Sequence, residues 1–141
     1  MYRKLSSDSG FDVMISDTRV DNLSKLLNRM NENGMPKTVV YSLNPNDNAV
    51  IDSVLNAFQG DVRGKMQHGA AWWFNDSKEG MLSQLKSFAS LGNLGTFIGM
   101  LTDSRSFTSY VRHDYFRRIM CQLIGEWVEN GEYPDDEKLL G

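Results

Sequence analysis

Cysteine occurs once in the 141 residues, as Cys121, and histidine twice, as His68 and His113. A single thiol excludes an internal disulfide and a cysteine-built metal centre. Two histidines leave any metal site dependent on carboxylates or on residues from elsewhere. A large excess of one sign of charge is also lacking. The net charge of −3 sets up no broad field that would draw nucleic acid or an anionic membrane. Apolar runs stay far below the roughly 20 residues of a membrane span, and the N-terminus MYRKLSSDSG lacks the apolar core of a secretory signal. There is no P-loop, no GxGxxG after a strand and no GxSxG elbow. These absences read as a cytoplasmic protein with no nucleic-acid or membrane partner.

What is present fits one globular domain over residues 1–141, since 40% hydrophobic and 23% charged residues are the proportions of a folded chain. Leu23, Leu26, Leu27 and Met30 recur at helical spacing, with Gly34 as a stop signal. KTVVYSL (37–43) is strand-like, and Asn44-Pro45 then caps a helix with Val50, Ile51, Val54, Leu55 and Phe58 on one face. KMQHG (65–69) is a short strand candidate, and AAWWFND (70–76) is too aromatic for an ordinary loop. A helix from about residue 78 turns Met81, Leu82, Leu85, Phe88 and Ala89 inward and stops at Gly92. GTFIGML (95–101), apolar on both faces, reads as a third strand. The last long helix carries Phe116, Ile119, Met120, Leu123, Ile124, Trp127 and Val128 as a stripe, and Asn130-Gly131 closes it. The order is a helix followed by three strand–helix units, each about 30 residues long. It predicts an α/β fold with a parallel sheet.

Parallel strands put their C-terminal ends on one rim, where ligands bind. That rim gathers Asn44, the stretch from Gln67 to Phe74, and Asp103 to Arg105. Asp103 can ligate a divalent cation or move a proton, and equally can cap a helix or close a turn. The planar fork of Arg105 suits a carboxylate or an enediolate oxygen, or a salt bridge to Asp103. Arg112 and His113 lie near the start of a helix, where cations oppose the helix dipole. Either an anion sits nearby or side chains pair, as Asp114 and Arg118 can at i,i+4. Trp72 and Trp73 can wall a sugar pocket or pack beneath the rim. His68 is a metal ligand or a structural residue, and Cys121 reads as a small core residue.

AWWFND (71–76), MLTDSRSF (100–107) and YVRHDYFRR (110–118) together resemble the C-terminal part of the uronate (glucuronate) isomerase family. KTVVYSLNPNDN (37–48), FQG (58–60) and GEYPDDEKLLG (131–141) fit the same pattern. The resemblance implies an amidohydrolase-type (β/α)8 barrel that interconverts D-glucuronate with D-fructuronate and D-galacturonate with D-tagaturonate. The chemistry it implies is a proton shift between C2 and C1 at a site that holds zinc. A complete barrel needs about 200 residues or more. The chain is therefore expected to be a fragment, the last three strands and helices of an incomplete barrel, inactive alone and partnered by the N-terminal part. By the same resemblance Asp103 is a metal ligand and proton-transfer residue, Arg105 contacts the substrate and stabilises negative charge, and Trp72 lines the pocket, with Trp73 beside it. The family's other metal ligands have no counterpart in this sequence, so the chain alone is not expected to hold zinc tightly. Exposed sheet edges leave three outcomes open: folding alone, a homo-oligomer joined through those edges, or aggregation. The alternative expectation is a non-catalytic α/β module that binds sugar acids or serves assembly.

Overall fold

Apolar residues three and four apart build the first helix, α1 (Val20–Glu32), which buries Leu27 and packs Leu23 and Met30 against the same core. Asp21 in the first turn and Arg29 in the last complement the helix dipole. Past the end of α1, Gly34 takes φ +83°, a conformation that strains any residue with a Cβ. The computed structural model describes residues 19–70, 72–102, 104 and 106–140.

Strands β1 (Thr38–Ser42) and β2 (Met66–Ala70) pair in parallel, from Thr38 opposite Met66 to Ser42 opposite Ala70. Alternation turns Val40 and Met66 towards one core, with Leu27, Met35, Ile51 and Leu55. On the opposite face the Tyr41 ring lies across Gly69, where an added Cβ would come within 3.0 Å of it. The crossover that a parallel pair requires is helical here. The Asn44 side chain accepts from Asn46 N–H at 3.0 Å, Pro45 opens a 3-10 turn (Pro45–Asp47), and α2 (Asn48–Asn56) follows. Ile51 and Leu55 are buried, and Val54 and Phe58 pack beside them. Val50, expected on that face, is exposed instead, because the buried stripe runs through Asn48, Ile51, Asp52 and Leu55.

A short helix, α3 (Trp72–Asn75), occupies the aromatic stretch after β2, and α4 (Lys78–Leu91) begins two residues later. The Ser77 hydroxyl oxygen accepts from Gly80 N–H at 3.1 Å, a helix N-cap. The last long helix, α5 (Arg112–Glu129), follows a 3-10 turn (Phe107–Val111), and α6 (Glu137–Leu140) ends the described chain. A second core joins Met81 and Leu85 of α4, Met100, and Phe116 and Leu123 of α5. Cys121, expected in the core, is exposed, because α5 buries a narrower stripe centred on Phe116 and Leu123.

The third strand expected over residues 95–101 does not form. Leu94–Thr96 is a 3-10 turn, residues 97–102 join no ladder, and the sheet of the described residues has two strands. The cause is local. The Gln67 side-chain amide donates to Thr96 O at 2.9 Å and accepts from Ile98 N–H at 2.8 Å, so a side chain satisfies the groups a neighbouring strand would have paired. Gly99 at φ +87° breaks extended geometry one residue later. Phe97 and Met100 still pack into the core, whereas Ile98 is half exposed. Among the described residues no helix is long and apolar enough to cross a membrane.

Candidate functional site

The C-terminal ends of β1 and β2 carry a buried polar layer under the two helices that cover them. Ser42 donates to Asn48 Oδ1 at 3.0 Å. In the middle of β2, His68 is wholly buried, with Nδ1 2.6 Å from Asp52 Oδ1 of α2. Ser87 of α4 donates to the other carboxylate oxygen, Asp52 Oδ2, at 2.5 Å. With a carboxylate as acceptor, the shared proton sits on Nδ1. One aspartate thus ties a strand and two helices together. Among the described residues, His68 Nε2 has no hydrogen-bonding partner. His68 is thus buried on Asp52 rather than facing solvent at a strand end.

The loop after β2 is fixed from both sides. On the inner side, Asn75 Nδ2 donates to Gln84 Oε1 at 2.7 Å, and Gln84 Nε2 reaches His68 O at 3.4 Å. On the outer side, Asp76 accepts from Tyr115 O–H at 2.5 Å and pairs with Arg112 at 3.5 Å. Burial, then the hydrogen bond to Asp76 and its negative charge, push the Tyr115 hydroxyl up to about 12. A raised tyrosine pKa contributes stability that is fully present below the unfolded value near 10 and is lost as pH rises through about 12. The tyrosinate absorbance step removed by Tyr115→Phe is expected above those of ordinary tyrosines, and Asp76→Ala is expected to lower it. A Tyr115 step unmoved by Asp76→Ala would contradict the contact.

Of the residues expected at the site, Asp103 and Arg105 lie outside the described residues, as does the side chain of Trp72. Trp73 is 43% exposed, edge-on to Phe74 with ring centroids 5.0 Å apart. Leu43 after β1, and Phe107 and Tyr110 before α5, are exposed too, the latter two with ring centroids 6.4 Å apart. The anion facing Arg112 is Asp76 from a neighbouring loop, while Asp114 pairs with Arg118 within α5 as the spacing predicted. His113 lines a cavity of about 1040 Å³ with Phe116, Arg117, Met120 and Trp127. Asp52, Ser87, Asn75, Gln84 and Asp76 escaped the reading of the sequence. One signal was available: Asp52 interrupts a buried helix stripe, and a buried carboxylate must be paired.

The described residues do not fit a metal ion, for no group of three or more His, Cys, Asp or Glu side chains converges among them. What the geometry defines is an α/β unit with parallel strands, whose post-β2 loop is fastened to the head of the last long helix. The Glucuronate isomerase family matches residues 1–141, and the chain belongs to that family. It is 57% identical over its full length to a uronate isomerase of Clostridium acetobutylicum, of which it covers 31%. It is 58% identical to that of Bacillus subtilis, covering 30%, and 53% identical to that of Mannheimia succiniciproducens, covering 31%. The chain thus spans about three-tenths of the length of the curated relatives it matches.

Proposed function

We propose that the chain is one part of a uronate isomerase and contributes catalytic and substrate-binding residues to an active site that the rest of the barrel completes. In this reading β1 and β2 are adjacent strands of a (β/α)8 barrel, and their free edges pair with strands supplied by the remainder. The substrate is a sugar acid, an aldose uronate converted to its ketose isomer. Asp103 takes the proton from C2, whose electron pair becomes the C1=C2 bond while the carbonyl pair moves onto O1 as an enediolate; Asp103 then returns the proton to C1 as the C2 hydroxyl gives its proton to O1 and becomes the ketone. Arg105 stabilises the charge that develops on O1. Trp72 and Trp73 wall the sugar. Zinc, if the complete enzyme binds it, draws on Asp103 and on ligands from the remainder, and it would supply Lewis-acid polarisation of the carbonyl.

The observation that carries the proposal is the bond of Asp76 to Tyr115 and Arg112. It brings AWWFND beside YVRHDY, two of the three stretches that carry the family likeness. The test is complementation. The purified chain is mixed with the remaining part of a relative as a separate polypeptide, zinc is supplied, and conversion of D-glucuronate to D-fructuronate is followed. Turnover that requires both pieces is the expected result. Two folded, associating pieces without turnover would overturn the proposal.

A further inference from the structure

Only Asp76 and Ser77 separate α3, which carries both rim tryptophans, from α4. The inner end of α3 is locked. Asn75 is fully buried on Gln84, Ser77 N–H donates to Asn75 O at 2.8 Å, and Gly80 makes room, since a Cβ there would lie 2.9 Å from Asn75 O. The outer side depends on contacts from α5. Arg112 and Tyr115 are three residues apart and share a face of its first turn. They reach different oxygens of the same carboxylate, Tyr115 taking Oδ1 and Arg112 taking Oδ2. An aspartate suits this place because it offers two acceptors and no donor, and because negative charge is favoured at the N-terminal end of α5. An asparagine offers one acceptor oxygen and would turn an amide towards the guanidinium.

We propose that Asp76 is a positioning residue: its carboxylate locks the tryptophan-bearing helix α3 onto the head of α5 and so sets the aromatic wall of the sugar-acid site against the segment that leads into that helix. This rests on the reading of Trp72 and Trp73 as a substrate wall. Asp76 itself touches no substrate. Its effect on a reaction passes through the placement of the loop.

Two measurements separate the clamp from the substrate reading. The first uses the 141-residue chain in a Trp127→Phe background, where Trp72 and Trp73 are the remaining tryptophans. Asp76→Ala is expected to raise acrylamide quenching about twofold and to speed amide exchange over residues 72–77 by about tenfold, with β2 and α4 unchanged, as for a loop that opens locally. Asp76→Asn, which keeps an acceptor for Tyr115, should fall between the two. Unchanged quenching and exchange in a folded Asp76→Ala chain would overturn the proposal. The second uses the complemented enzyme. There Asp76→Ala should raise KM for D-glucuronate about tenfold while kcat stays within about threefold, the pattern of lost uniform binding. A loosened loop with unchanged KM would overturn the link to substrate. If Trp72→Ala and Trp73→Ala also leave KM unchanged, the fault lies in the substrate-wall reading and the clamp stands.

Discussion

Asp103→Asn in the complemented isomerase is expected to lower kcat by on the order of a thousandfold, within the range for loss of a general acid–base group. Asparagine keeps the shape of the side chain and removes both its charge and its capacity to accept a proton. On the proposed reading binding should suffer less than turnover, because the tryptophans that wall the sugar and Arg105 are untouched by the exchange. A conservative exchange at Arg105, to lysine, should cost less than loss of the base but more than a surface change. It keeps the charge and removes the planar fork that can hold two oxygens at once. The assay follows D-glucuronate conversion with association of the two polypeptides checked by sedimentation. Activity of Asp103→Asn within tenfold of the parent would remove Asp103 from proton transfer.

Asp52→Ala is expected to cost about 2–4 kcal/mol of stability, the penalty for leaving buried donors without their acceptor. The side chain accepts from His68 on β2 and Ser87 on α4 at once, and both Asp52 and His68 are inaccessible. Removing it strands a buried imidazole N–H and a hydroxyl, each of which then lacks an acceptor. Domains of this kind are stable by only about 5–15 kcal/mol, so urea denaturation should show a large fall in midpoint. Replacing the pair together, Asp52→Leu with His68→Leu, should recover much of the loss, since a buried pair exchanged for apolar groups of similar size is often neutral. Ser87→Ala should cost about 1 kcal/mol, the net worth of one hydrogen bond. A loss below about 1 kcal/mol for Asp52→Ala would show that the carboxylate does not hold these elements together.

The helices and the first strand were legible because their determinants are local. Periodicity placed α1, α4 and α5, Asn44-Pro45 marked the turn into α2, and Gly34 and Gly92 marked helix ends. The weak candidate at 65–69 became β2, shifted by one residue and buried on both faces. The run at 95–101 misled because apolar composition reports burial, not pairing. Phe97 and Met100 are packed as that composition demands, yet among the described residues no strand pairs with theirs and Gln67 takes their neighbours' backbone groups. Val50 and Cys121 sit at the margins of helical stripes, where a rotation of the helix decides between core and solvent.

The site divides in the same way. Trp72, Trp73, Asp103 and Arg105 stand out in the sequence by residue type and by their motifs. The polar network does not, because Asp52 meets residues 16 and 35 positions away and Asp76 meets one 39 positions away. The sequence by itself determined the four longer helices, the parallel arrangement of two strand–helix units, and membership of a uronate isomerase family, since periodicity, caps and motifs are all written along the chain. Only the tertiary structure decided that the third apolar run would stay out of the sheet, that His68 would be buried on Asp52, and that Asp76 would fasten the tryptophan loop to the last long helix. Each of these depends on which groups come within about 3 Å of one another, and that distance is set by packing between elements.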